Sequence, residues 1–570
     1  MRRTPSHIVA LAVALAVLLA APASAAKKPT RSSTKTVVTR GLATVLQDDG
    51  NFLFRPAPEV RAAAARAKAL GVDTIRLTAG WSSLTRGADD PAKPVDFDAR
   101  DPAAYEQERW RGLDTAVRAV REAGLTPLID IGFWAPTWAT TDPGPRAREN
   151  IDPQAFADYA VAVVRRYSGT FAVPPDPSQA PPPASSEDES LLSSILTPEL
   201  PFPLPDPFPP PTARGPARAA QSGEGGAAGP GEPLPHVDQL ILWNEPNHQG
   251  LLLPQWKADA TTPASPSVYR AMVRAAYGAI KSISSANRVL IGNTSSTGGT
   301  RGSGPVPPLE FLREFACVDR RLKPRTTGDC AGFTTIPGDG WAHHPYSQNE
   351  RPSRTSRPER ELDDLRLADL PLLSKTLNAL VRMGRLTASN RNIYLTEFGY
   401  ETQPVKGRPT IGETTQARWL TWAEYLADRV PRVRSFAQFL LRDQPPAPVR
   451  VSASDARAFG QYSTGLLVAD GRDKVAAKSF VAGLFAQRWG KTRVTLYGRL
   501  RLGAGRKSIT IQRKRSKGSW QTIGKLKVDG RSAFTQTVRY QRGARYRLGF
   551  PAPAGRRTAG VAVAPKAAAR

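Results

Sequence analysis

The stretch Pro58–Leu70 reads PEVRAAAARAKAL, and after Gly71 comes Val72-Asp73-Thr74-Ile75-Arg76-Leu77. The first part has the composition of a helix, the glycine suits a left-handed C-terminal cap, and the second part is a short apolar strand. The same unit recurs. Trp110–Ala123 leads through Gly124 into Leu125-Thr126-Pro127-Leu128-Ile129-Asp130-Ile131, and Val268–Ser285 leads through Asn287 into Val289-Leu290-Ile291-Gly292. Leu373–Leu386 leads to Asn392 and then Ile393-Tyr394-Leu395-Thr396. Helices alternating with short apolar runs predict a parallel sheet. Eight such strands are expected, near 42–46, 72–77, 126–131, 237–243, 289–293, 339–343, 393–396 and 433–440. Eight βα units predict an α/β fold, a (β/α)8 barrel over residues 41–490. The alternative, a doubly wound open sheet, would want a glycine-rich phosphate loop after an early strand. Gly302 and Gly304 lie in a loop elsewhere and do not supply one.

Three segments stand outside this rhythm. Residues 1–25 combine Arg2 and Arg3, an apolar run from Ile8 to Ala20, and Ala23-Ser24-Ala25. That pattern predicts a cleaved signal peptide and a secreted or extracytoplasmic protein, and the run is short for a membrane span. Residues 171–235 hold 18 of the 53 prolines and predict a disordered insertion. It precedes the fourth strand, so it is expected on the barrel face opposite the strand C-termini. After Gly490 the hydrophobic period becomes two, at 494–500, 508–513, 520–528, 534–540 and 546–550. This predicts a small all-β sandwich at 491–550, followed by a disordered tail at 551–570.

The net charge of +29 is concentrated at that end, since residues 491–570 carry 21 Lys or Arg and one acid, Asp529. A solvated arginine-rich spacer is one reading. Attachment to an anionic cell envelope or acidic polysaccharide is the other. Nucleic acid is not an expected partner of an exported chain, and a monomer without a transmembrane span is expected. The two cysteines, Cys317 and Cys330, are expected to form a disulfide worth roughly 3 kcal/mol. With five histidines beside them, they suggest no structural zinc site. No metal or cofactor is expected.

The residues that carry chemistry end two of the strands. Leu242-Trp243-Asn244-Glu245-Pro246-Asn247 closes the fourth, and Leu395-Thr396-Glu397-Phe398-Gly399-Tyr400 closes the seventh. Barrel enzymes place reactive groups at strand C-termini, and strands four and seven face each other across the mouth. Two carboxylates on one acetal oxygen are what glycosidic cleavage requires. One protonates the departing alcohol, and the other meets the cation-like anomeric carbon. Spacing alone does not say which glutamate does which.

With these motifs the barrel region resembles the clan A glycoside hydrolases, the group that includes families 5 and 39. The resemblance implies that Glu245 is the acid/base and Glu397 the nucleophile. It implies that Asn244 contacts a sugar 2-hydroxyl and that Arg76 keeps the nucleophile charged. His344 and Tyr346, in His343-His344-Pro345-Tyr346, match the clan's His-x-Tyr after strand six. The clan's tryptophan after strand eight is absent, and Phe439 is expected to replace it as sugar platform. Trp134, in Phe133-Trp134-Ala135-Pro136, is a second candidate for stacking on the carbohydrate, and the lack of a histidine there tilts the likeness toward family 39. The C-terminal sandwich resembles immunoglobulin-like domains of bacterial secreted enzymes. Other functions compatible with these residues are a non-catalytic carbohydrate-binding or surface protein on the same scaffold, and a transglycosylase.

Overall fold

A computed structural model describes residues 36–144, 146–173, 231–356, 363–403, 410–445, 462–551 and 557–567. The described residues from Thr36 onward belong to one compact unit. The expected signal peptide and residues 174–230 of the proline-rich insertion lie outside the described residues. Among the described residues no helix is long and apolar enough to cross a membrane.

After strand β1 (Thr36–Arg40), eight parallel strands close into a barrel: β2 (Ala43–Gln47), β3 (Thr74–Ala79), β4 (Thr126–Ile131), β5 (Gln239–Leu242), β6 (Arg288–Thr294), β7 (Gly340–His343), β8 (Ile393–Leu395) and β9 (Val433–Phe439). Closure is made by β9 against β2, from Ala43 opposite Ser435 to Gln47 opposite Phe439. Each strand falls within two residues of its expected place, because burial on both faces forces continuous apolar runs. Leu46, Ile75, Leu77, Ile129 and Ile131 join the core shared with the helices. Leu128, Ile241, Leu290 and Ala342 form a separate cluster with Tyr394 packed against it. Gly71 and Gly124 cap their helices with φ of 78° and 65°. The insertion leaves and returns at one point, where Ala172 pairs with Pro233 and the Leu234 amide donates to the Phe171 carbonyl at 2.9 Å.

The β region holds β10 (Ala482–Trp489), β11 (Arg493–Leu500), β12 (Arg506–Lys514), β13 (Gln521–Asp529), β14 (Ser532–Arg539), β15 (Arg545–Pro551), β16 (Arg557–Ala559) and β17 (Lys566–Ala567). They form two sheets, β1-β14-β11-β10-β17 and β13-β12-β15-β16. The region therefore extends beyond residues 491–550. It recruits β1 from ahead of the barrel and β10, which follows the helix Val475–Val481 with no turn between them. The described part of 551–570 corrects the expectation of a disordered tail. β16 pairs with β15, β17 pairs with β10, and Val563 is buried in the sandwich core, so apolar burial and ladder hydrogen bonds order it.

This domain is fixed to the barrel, which excludes the solvated-spacer reading. Trp422 and Tyr425, on the helix Glu413–Asp428, pack on Phe485 and Tyr497 with ring centroids 5.3 and 5.1 Å apart. Between them Glu424 accepts from Arg499 Nε at 2.9 Å and Arg501 Nη2 at 2.7 Å, all three buried. Arg499 also donates to the Leu42 carbonyl at 2.7 Å, and Arg501 to Thr44 Oγ1 at 2.8 Å. Leu42 and Thr44 lie where β2 begins, so the sandwich sits under the N-terminal face of the barrel. Cys317 and Cys330 are disulfide-bonded, with S–S 2.06 Å.

Candidate active site

At the opposite face, the strand ends bring charged groups into contact. Arg76, wholly buried on β3, is the hub. Its Nη1 donates to Glu397 Oε1 at 2.5 Å and to Gln47 Oε1. Its Nη2 donates to Asp130 Oδ2 at 2.5 Å and to Asn244 Oδ1 at 2.7 Å. Burial works against the guanidinium charge, but Asp130 and Glu397 more than offset it and hold Arg76 above its ordinary pKa. Burial also pushes Asp130 up, with Arg76 opposing. One fixed cation thus serves two carboxylates.

Glu397 is held on both sides, since Tyr346 Oη donates to its Oε2 at 3.0 Å. Burial, then the neighbouring Glu397 charge, push the Tyr346 phenol well above its ordinary range, so it stays a donor. Glu245 has a different partner. His344 Nδ1 lies 2.8 Å from Glu245 Oε1, and His344 Nε2 lies 2.9 Å from Asn293 Oδ1. Asn293 donates its own amide to the Trp243 carbonyl at 3.0 Å, which turns Oδ1 toward the imidazole. Nε2 therefore carries a hydrogen, and one proton lies between Nδ1 and the Glu245 carboxyl. Burial pushes Glu245 up, but the hydrogen bond and charge of His344, with His248 and Arg76 behind them, leave it below its ordinary value.

The backbone is bent where these groups emerge. Trp243, Glu245 and Asn293 have φ of 64°, 41° and 50°, left-handed values that cost non-glycine residues energy and cluster at functional sites. The Glu245 amide donates to the Asn293 carbonyl at 3.0 Å, tying the ends of β5 and β6 together.

Most of the residues singled out from sequence meet here. Glu245, Glu397, Arg76, Asn244, His344 and Tyr346 form one connected network. Phe439 is half-buried beside it, its ring 6.4 Å from Tyr346 and near perpendicular. Trp134 stands apart. Its described contacts are to the Gly250 carbonyl at 3.1 Å, the Phe133 ring and the Arg146 guanidinium, 4.7 Å from the indole. His343 is a core residue: Nδ1 meets Thr294 Oγ1, Nε2 donates to the Leu365 carbonyl, and burial lowers its pKa to about 4.

Asp130, Asn293 and Gln47 were not foreseen. Asp130 left a signal, an acid inside the apolar run Leu128-Ile129-Asp130-Ile131. Asn293 left only its position after Gly292 at a strand end.

Ligand atoms of Glu245, His344 and Glu397 lie within 4.8 Å of one another, the described group close enough to hold a metal. The donor set argues against it. Both Glu397 oxygens already accept from Arg76 and Tyr346, and both His344 nitrogens are engaged.

No family model and no curated protein matches this chain. Solved structures do. A glucosidase from Croceicoccus marinus is 11% identical, with 89% of this chain and 99% of that one covered, at a TM-score of 0.43. A GH39 β-xylosidase from Caulobacter crescentus is 13% identical, with 89% and 98% covered, at 0.42. GH5_18 from Streptomyces cattleya is 16% identical, with 77% and 79% covered, at 0.40. The closed barrel is the architecture that the clan A resemblance implies, and the sheets that follow it fit the immunoglobulin-like resemblance of the C-terminal region.

Proposed function

We propose that this protein is a secreted clan A glycoside hydrolase that cleaves β-linked oligo- or polysaccharides with retention of configuration. The observation that carries this reading is the pairing of Glu245 and Glu397 across the barrel mouth, with one carboxylate oxygen of each within 4.8 Å of the other. Retaining enzymes keep their carboxyl groups about 5–5.5 Å apart, whereas inverting ones leave about 6.5–9.5 Å for a water molecule.

The two environments divide the work. Glu397, held between Arg76 and Tyr346, is the nucleophile for the anomeric carbon. Glu245 shares a proton with His344 and delivers it to the leaving oxygen. After the alcohol departs, Glu245 takes a proton from water as that water attacks the glycosyl–Glu397 ester. Asn244, whose Oδ1 is held by Arg76, presents its amide nitrogen to the sugar 2-hydroxyl. Phe439 offers an apolar face to the ring.

Azide rescue separates the roles. With an activated aryl glycoside, Glu245→Ala should still form the glycosyl-enzyme, turn over slowly, and be rescued by azide to a glycosyl azide of retained configuration. Glu397→Ala should give at most the inverted azide. Exchanged behaviour would reverse the assignment, and unchanged activity in both variants would end the hydrolase reading.

A further inference from the structure

We infer that the outer face of the sheet β13-β12-β15-β16 is a docking surface for a carboxylated polysaccharide. Ile509 and Ile511 on β12, and Tyr546, Leu548 and Phe550 on β15, point into the sandwich core. The alternate positions point outward. On β13 these are Lys525 and Lys527, opposite Thr510 and Ser508. On β12 and β15 they are Lys514 directly opposite Arg545, and Gln512 opposite Arg547. With Arg506, opposite Asp529 at one end of the two strands, six cations share one face.

Three further features set this face apart from a merely solvated one. Lys514 and Arg545 are like charges in direct cross-strand register, an arrangement that destabilises a sheet by itself and that an anion would relieve. Arg547 is pre-set: its guanidinium lies 4.2 Å from the Trp520 ring and its Nε donates to Gln512 Oε1 at 2.8 Å. The domain's single acid, Asp529, lies at the end of this face opposite Arg506, and its oxygens accept from the Gly505 and Arg531 amides at 2.9 Å each.

Contact with the barrel runs through Phe485, Tyr497 and Ala533 of the other sheet. Charge complementarity calls for a polyanion. The large exposed apolar residues among those described include Val37, Val38 and Trp489, none of them on this face, so it lacks the wedge that bilayer insertion uses. A flat cationic sheet with an indole beside an arginine suits a chain of carboxylated sugars, whose acid groups pair with the cations and whose rings stack.

This inference does not depend on the glycosidase reading, and its test needs no turnover. The full chain is passed at low salt over immobilised polygalacturonate, methyl-esterified polygalacturonate and dextran. Binding to the first alone is expected, weakening as salt rises. The triple variant Lys525→Gln, Lys527→Gln, Arg545→Gln should weaken it by about tenfold or more, at unchanged melting temperature. Lys527→Glu alone, at an exposed strand position, should act in the same direction. Three changes on the barrel, Arg61→Gln, Arg288→Gln and Arg382→Gln, should leave binding as it was. The inference is overturned if polygalacturonate does not bind or if the sheet variants bind like wild type. Equal binding to the esterified polymer, to duplex DNA or to phosphatidylglycerol vesicles overturns it too.

Discussion

His344 and Asp48 show how burial sets charge at single positions. His344 is the main influence holding Glu245 below its ordinary value, against a burial that pushes it up. The alkaline limb of kcat/KM marks loss of the Glu245 proton in the free protein. His344→Asn removes the lowering influence, so with a poor leaving group that limb should move to higher pH. A limb that stays or moves down would detach His344 from the acid. Asp48 is different. Its Oδ2 accepts from the Leu441 and Arg442 amides at 3.0 and 3.1 Å, yet burial raises its pKa from 3.8 to about 6. The native state binds this proton more tightly than the unfolded state. The resulting stability is complete below the unfolded value and is lost as pH rises through about 6, a change of roughly 3 kcal/mol. Urea unfolding near pH 4 and near pH 7.5 should show Asp48→Asn with a pH dependence flatter than wild type by about that amount. The site was legible where chemistry demands rare words, as in Asn244-Glu245 and Thr396-Glu397. It was illegible at Asn293, whose role comes from a bent strand end meeting an imidazole from the next strand, and no local pattern encodes that.

Among the elements, the barrel strands were the most readable, because a strand buried on both faces can hold little but apolar residues. The helix-to-strand transitions at Gly71 and Gly124 were readable for a backbone reason, since the cap requires positive φ. The strands β1 and β10 were not. Thr36-Val37-Val38-Thr39-Arg40 is a solvent-lapped edge strand, and Ala482–Trp489 starts without a turn after a helix, so neither punctuation nor alternation marks it. The proline-rich insertion, by contrast, announces itself. Its described ends meet at Ala172 and Pro233, ahead of β5 and away from the strand ends that carry the glutamates. Replacing residues 174–230 by a short glycine-serine turn should therefore leave kcat within about twofold, since loop length itself costs little. A folded variant with a large loss of kcat would place that segment in the catalytic cycle.

In the whole molecule, the sandwich and the barrel share a buried charge cluster, and this makes them one cooperative unit. Glu424 lies buried between Arg499 and Arg501. Removing the one anion leaves two uncompensated cations inside, so Glu424→Gln should cost about 3–5 kcal/mol, measured by denaturant unfolding. Replacing all three by apolar residues should recover much of that loss. Calorimetry of the wild type should show a single transition rather than separate barrel and sandwich melts. The chain's order of appearance gives the β1–β14 pairing a further consequence. Thr39 lies opposite Ala533, so the first described strand waits for its neighbour until the residues up to 533 have been made. β1 and the floor of the barrel stay uncovered for that whole interval. The same pairing then works as a check on completeness: a chain cut short before residue 532 cannot seat its first described strand.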